Sequence, residues 1–140
     1  MTGPGQFVLF PLGVKRFALP AERVTELARM DHLHVFPAST PMVSGVLVRR
    51  GTVIPVCDVA QALVGNGAPE RKFYLIAKRQ FGTHEEKTAI PVSGDCELTT
   101  TELLPRTAKL ADHVTGLLSL ETEIVEVIDL EKLAGTEVVQ

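Results

Sequence analysis

The chain has 140 residues, 45% hydrophobic and 22% charged, a globular composition with room for one domain or two small lobes and not for a large multidomain enzyme. Its net charge of −3, from 14 basic and 17 acidic residues, offers no broad footprint for nucleic acid, and the absence of Trp with a single Tyr argues against a surface of stacked aromatic rings. No Lys or Arg precedes Lys15 and no apolar run nears the roughly 18 residues of a membrane span, so neither a secretory signal nor direct membrane insertion is expected, and two cysteines 39 positions apart fit a reducing cytoplasm.

In chain order, residues 1–5 read as a flexible start. Phe7-Val8-Leu9-Phe10 is a short buried strand, and Gly13 turns the chain into a second strand around Phe17-Ala18-Leu19. Pro20 suits a helix start, and Val24, Leu27 and Ala28 then recur at helical spacing, which predicts a helix over Ala21–Met30 with Glu22, Arg23, Glu26 and Arg29 on its polar face. Asp31–Pro41 is loop with a brief extended piece at Leu33–Phe36.

Gly45–Gly65 then reads as strand, tight turn, strand and short helix. Gly51 is the residue best able to take positive φ, so a hairpin turn or bulge is expected there. Asp58 sits where a helix N-cap belongs, and Gly65 where a helix ends. Gly65–Arg71 is a linker, Lys72–Lys78 a strand, Arg79–Lys87 a polar loop around Gly82, and Thr88–Val92 a returning strand whose Pro91 suggests an edge or bulge. Thr99-Thr100-Thr101-Glu102 reads as a capped turn and Pro105–Asp112 as loop, before a second strand, turn, strand and helix over Gly116–Gly135.

This last device repeats the central one. Thirteen positions separate Gly45 from Asp58, and thirteen separate Gly116 from Asp129. Val46, Leu47, Val53, Ile54, Val56, Cys57 and Val59 fall opposite Leu117, Leu118, Ile124, Val125, Val127, Ile128 and Leu130. The pattern predicts two related lobes, each ending in a hairpin and a capped helix. Many short strands with regular turn signals point to paired small barrels.

Several residues invite a chemical reading. Asp58 and Asp129 are explained by N-capping and have no basic or nucleophilic neighbour to suggest catalysis. His32 and His34 lack the further ligands that a metal site needs, and no cofactor is expected. Cys57 lies in an apolar strand as a small buried hydrophobe, while Cys96 is expected to be partly exposed; a small Cys-dependent enzyme or redox protein would use Cys96 or Cys57 with a histidine. A stand-alone SH3-like peptide module is a further alternative, disfavoured by the sparse aromatics.

At Gly13, Phe17, Leu19-Pro20, Val24, Glu26, Pro41, Gly45, Arg50-Gly51, Pro55 and Asp58, and again at Gly116, Val125-Glu126-Val127-Ile128-Asp129-Leu130 and Leu133, the sequence resembles the CheW-like domain family. The resemblance implies a mainly β fold of two intertwined SH3-like five-stranded β-barrel lobes with a few short helices, forming one domain over residues 6–135 with flexible ends at 1–5 and 136–140. It implies a non-enzymatic cytoplasmic adaptor that links methyl-accepting chemoreceptors, at their cytoplasmic tips, to the regulatory domain of a CheA-type histidine kinase, and reaches membrane receptor arrays through these partners. On spacing alone Arg50 is a solvated turn arginine, Val24 a core residue and Glu26 a solvated helix position. The resemblance makes Arg50-Gly51 a receptor and kinase contact, and puts Val24, Glu26 and Gly45 beside a receptor-binding groove. Ala89–Leu98 departs from the family by carrying proline and glycine where alternating valines usually run. The alternative it raises is a divergent relative from a gliding or twitching pathway that has lost the kinase interface.

Overall fold

The computed structural model describes residues 4–37, 43–105 and 109–135, and Pro41 therefore lies outside the described residues. Eleven strands are described: β1 (Gly5–Leu12), β2 (Lys15–Pro20), β3 (Val24–Arg29), β4 (Val35–Pro37), β5 (Val43–Arg49), β6 (Thr52–Cys57), β7 (Phe73–Phe81), β8 (His84–Val92), β9 (Glu97–Thr101), β10 (Val114–Leu120) and β11 (Glu123–Ile128). Two short helices, α1 (Ala60–Val64) and α2 (Leu130–Gly135), follow β6 and β11. The strands form two curled sheets, ordered β10-β11-β2-β1-β9 and β3-β7-β8-β6-β5-β4. The mainly β, two-lobed architecture is the expected one.

The two predicted hairpins coincide residue for residue. In β5–β6, Gly45 pairs with Val56, Leu47 with Ile54 and Val48 with Val53; in β10–β11, Gly116 pairs with Val127, Leu118 with Val125 and Ser119 with Ile124. Each has a bulge immediately before its glycine. The residue skipped by the bulge, Ser44 or Thr115, donates its hydroxyl to the carbonyl of Val56 or Val127. A Cβ on Gly45 would lie 2.6 Å from Val35 Cγ1 and 2.8 Å from the Phe36 carbonyl oxygen, and one on Gly116 would lie 2.7 Å from Leu103 Cδ2. Both glycines let a crossing segment approach the strand closely enough to close its barrel. Leu103 bridges Leu118 on one side, and β4 pairs with β5 on the other.

The repeat is tandem in sequence and exchanged in space. The first hairpin of the chain, β1–β2, joins the sheet of β9, β10 and β11, and β7–β8 joins that of β3, β4, β5 and β6. Each exchanged hairpin is joined on both sides, by a short parallel contact, β2 on β11 or β8 on β6, and by an antiparallel one, β1 on β9 or β7 on β3. Each barrel consequently has a small apolar centre of its own, Phe7, Leu9, Ala18, Leu118, Val125 and Val127 in one and Leu47, Ile54, Val56, Tyr74, Ile76 and Ala89 in the other. Between them lies a larger shared core around Phe10, Phe17, Leu75, Ile90, Ile128 and Leu130. Burying such side chains is worth about 1.5–3 kcal/mol each, so this shared layer holds the two barrels together.

Four local expectations are corrected. Ala21–Met30 is not a helix: Ala21–Arg23 is one 3-10 turn after Pro20, and Val24–Arg29 is β3, antiparallel to β7. A bulge between Val24 and Glu26 breaks the strict alternation of the strand, which is why its apolar residues imitate helical spacing. The polar loop expected over Arg79–Lys87 is mostly paired, with Arg79 opposite Glu86, Gln80 opposite Glu85 and only Gly82-Thr83 left as the turn. Thr99-Thr100-Thr101 belongs to β9, as its β-branched side chains favour, and not to a capped turn. Gly5 is not frayed and pairs with Thr101.

Asp129 and Gly65 hold the expected ends of α2 and α1, whereas the N-cap position of α1 falls on Val59, one residue after Asp58, whose carboxylate still reaches the first turn. The Asp58 carboxylate accepts the Ala60 N–H, and the Asp129 carboxylate accepts the Lys132 N–H. Asp58 also binds Arg71, which clamps the linker by donating to the carbonyls of Ala68 and Pro91. At the far end of α1, Gly65 takes φ 59°.

Candidate functional site

The turn joining β5 to β6 contains only Arg50 and Gly51, and both have positive φ, 52° and 78°. Two left-handed residues make a type I′ turn, whose twist suits a hairpin. Gly51 adopts this conformation freely, whereas an arginine there costs about 1 kcal/mol or more. Arg50 is the only non-glycine with positive φ among the described residues. Its side chain is 78% exposed.

Arg49, one residue earlier, continues the inward face of β5 beyond Gly45 and Leu47. At the barrel mouth its guanidinium meets Glu26 of β3, with Nε donating to Oε2 at 2.8 Å and Nη2 donating to Oε1 at 3.0 Å. Such a fork is among the stronger and more directional ion pairs. Hydrogen bonding from Arg49 holds the Glu26 carboxyl below its usual range against the opposing effect of burial, and the charges of Arg49, Arg50 and Lys87 add to it. Arg50 Nη1 lies 3.9 Å from Glu26 Oε1. Glu26, 22% exposed, is therefore not a solvated position but the anchor of the hairpin tip.

Val24 and Glu26 line an open groove of about 300 Å³. One wall is β3, with Val24, Glu26 and Leu27; the other is Cys96 and the start of β9, with Glu97 and Leu98, from the opposite barrel. The structure thus brings three of the expected residues together, Val24 and Glu26 in the groove and Arg50 at its charged end, with Gly51 completing the tip. Gly45 is not among the groove residues: it is buried under β4, where Val35 and Phe36 would meet any side chain. Sequence reasoning missed Arg49. Period-2 alternation assigns it to the inward face, but the acid it meets comes from a segment that was expected to be helical.

A second surface adjoins this tip. On the outward face of β4, β5 and β6, Phe36 pairs with Val46, Val46 with Pro55 and Val48 with Val53, giving a continuous apolar stripe. Phe36 is 52% exposed and Val53 62%. The matched face of β10–β11 is interrupted by Ser119 and Glu126.

The other candidates have ordinary surroundings. Cys57 is buried. The Cys96 thiol is pushed up to about 12, by burial first and then by the charge of Asp95, the reverse of what a thiolate nucleophile needs. His32 is exposed beside Asp31, 3.7 Å from its carboxylate. Among the described residues there is no cluster of three metal-ligating side chains, and no helix is long and apolar enough to cross a membrane.

Two barrels with exchanged hairpins, a groove between them and an apolar face beside it define the class, a two-lobed SH3-like β scaffold. Comparison with known proteins makes this more specific. The family model of the CheW-like domain matches residues 6–138. Among curated proteins, the chain is 22% identical to the chemotaxis protein CheW of Klebsiella aerogenes over 137 residues, covering 94% of this chain and 82% of that protein. Among solved structures, the scaffolding protein TtCheW from Thermoanaerobacter tengcongensis superposes with a TM-score of 0.70 at 19% identity, covering 91% of this chain and 86% of that one. The chain belongs to the CheW-like domain family, the coupling and scaffold proteins of chemotaxis.

Proposed function

We propose that this chain is a cytoplasmic adaptor that couples the cytoplasmic tip of a methyl-accepting chemoreceptor to the regulatory domain of a CheA-type histidine kinase, by binding alone. Residues 6–135 act as one unit in this reading, since the hairpin exchange leaves neither barrel complete without the other. The receptor's helical hairpin lies along the groove at Val24 and Glu26, with Arg50 and Gly51 at its end and Gly45 supporting the strand behind them. The kinase domain docks on the apolar face of Phe36, Val46, Val48 and Val53. Reaching a membrane array through these partners requires no membrane segment of its own.

One observation carries the reading: two dissimilar surfaces, a charged groove end and an apolar stripe, flank one hairpin of one small body. The strained Arg50 supports it, because a left-handed arginine is a cost that the barrel does not require. Apolar stripes of this kind suit transient interfaces of modest area.

Titration calorimetry against both partners from the same source tests it. The expected result is binding of both in the micromolar range. Arg50→Glu weakens receptor binding about tenfold or more, as loss of a charge-assisted contact should, and leaves the thermal midpoint within a few degrees. Val53→Glu weakens kinase binding and spares the receptor. If the folded protein binds the receptor but not the kinase, the coupling role is overturned and the chain is a receptor-binding relative of a gliding or twitching pathway. If Arg50→Glu collapses the fold, Arg50 is a structural residue.

A further inference from the structure

The groove residues of β3 follow directly on the 3-10 turn Ala21–Arg23, which links β2 of one sheet to β3 of the other and is held by α2. Glu131, in the first turn of α2, takes two bonds on one oxygen: Arg23 Nη1 donates to Oε2 at 3.0 Å, and the Gln80 backbone N–H of β7 donates to the same atom at 2.7 Å. An acid in the first turn of a helix ordinarily faces water and favours the helix dipole. Here it reaches across to an amide of β7, in the opposite sheet, and to a guanidinium on the turn that links β2 of its own sheet to β3. The sequence repeat makes the contrast sharper. With Asp58 opposite Asp129, the counterpart of Glu131 is Ala60, which is fully buried at the start of α1 and carries no polar group. The carboxylate is therefore not something the repeated fold needs at this position. Beneath the contact lies a small cavity of about 130 Å³, lined also by Lys78 and Thr115, so that packing alone does not fill the space around the turn.

We infer that Glu131 is a positioning residue for the groove: by holding Arg23 and β7 together it fixes the turn from which Val24 and Glu26 depart, and so makes the C-terminal helix a determinant of groove shape. The inference rests on the groove reading for its consequence in binding, and on geometry alone for its consequence in β3.

The test uses the full chain with Glu131→Gln, Arg23→Met and Arg23→Lys. Glutamine keeps an acceptor for the Gln80 N–H and removes the charge that holds Arg23. Hydrogen exchange at Val24–Leu27 is expected to accelerate about tenfold in Glu131→Gln and Arg23→Met and to stay near wild type in Arg23→Lys. Affinity for a cytoplasmic hairpin fragment of the chemoreceptor should fall about tenfold in the first two variants and recover in Arg23→Lys, while affinity for the kinase regulatory domain is unchanged. Unchanged exchange in β3 overturns the inference. A fall in both affinities together with the thermal midpoint overturns it too, because Glu131 would then be a general structural contact. If the wild-type protein does not bind the receptor fragment, the proposed function fails, and the exchange measurement still decides the role of Glu131.

Discussion

The hairpins β5–β6 and β10–β11 share register, bulge, skipped hydroxyl and burial, and differ almost wholly at their tips and outward faces. Leu47 matches Leu118, Ile54 matches Val125 and Val56 matches Val127, all buried; Val53 and Ile124 are both exposed. At the tips, Arg50-Gly51 takes positive φ, whereas the matched Glu121-Thr122 does not. Both tips are tied by an arginine–glutamate pair, but the arginine is on the hairpin in the first, Arg49 to Glu26, and on β2 in the second, Arg16 to Glu123. What the two share is what closing a small barrel demands. What only the first carries, a strained arginine and an unbroken apolar face, the barrel can do without, and it is therefore free to serve recognition.

The largest effects should test the shared half. Leu47→Ala and Leu118→Ala each remove a side chain with 0% exposure and should each cost about 2–5 kcal/mol in chemical denaturation, with similar values for the two. A large loss at one site alone would mean that the two barrels do not carry equal weight in the core. The glycines should behave less alike. Gly45→Ala drives a methyl against the Phe36 carbonyl, which cannot move without shifting β4, and should cost about 1–3 kcal/mol. Gly116→Ala meets only the end of the Leu103 side chain, which can rotate away, and should cost under about 1 kcal/mol. Equal costs would show that Leu103 is as fixed as a backbone.

Much of this comparison was legible in the sequence, because both hairpins bury alternate residues and their glycines and aspartates hold fixed distances. β3 was not legible. Its bulge shifts Leu27 and Ala28 against Val24, so an edge strand has helical spacing, and on that spacing Glu26 falls on a solvated face. The Arg49–Glu26 fork was hidden for the same reason, since it needs β3 beside the tip of β5. The exchange of hairpins was equally out of reach: it depends on pairings between segments far apart in the chain, Phe17 with Glu126 and Val56 with Ala89 in parallel, and Phe7 with Thr99 and Leu27 with Leu75 antiparallel. Local pattern reports which face of a strand is buried and not which strand lies next to it.

The tip itself offers a sharper test. Asn tolerates left-handed backbone better than Arg, so Arg50→Asn should leave the thermal midpoint unchanged or raise it by a few degrees, a gain below about 1 kcal/mol. Under the proposed function, the same change should weaken binding of the receptor fragment about tenfold, by calorimetry, because the exposed guanidinium is gone. Stability gained with binding lost would mark Arg50 as kept for contact. Binding retained would remove it from the site and leave the apolar face as the only distinctive feature of this hairpin.

The smallest effect concerns the anchor beneath that tip. Arg49 lowers the Glu26 carboxyl below its ordinary value of 4.5, so the folded protein binds this proton less readily than the unfolded chain does. The pair's stabilisation is then fully present above the ordinary carboxylate range and is lost as pH falls through the lowered folded value. Glu26→Gln should be less stable than wild type by about 0.5–1 kcal/mol at pH 7, an amount typical of a partly exposed pair, and the gap should close as the pH is taken from 5 towards 3. The second hairpin supplies the control. Its tip is tied by Arg16, whose partners Glu123 and Glu97 stand in place of Glu26, so in an Arg16→Gln background the Glu26→Gln substitution should still open the same stability gap at pH 7 and lose it from pH 5 towards 3. A gap that persists unchanged to pH 3 would mean that Glu26 stabilises the tip by packing, and that its charge is held in reserve for a partner.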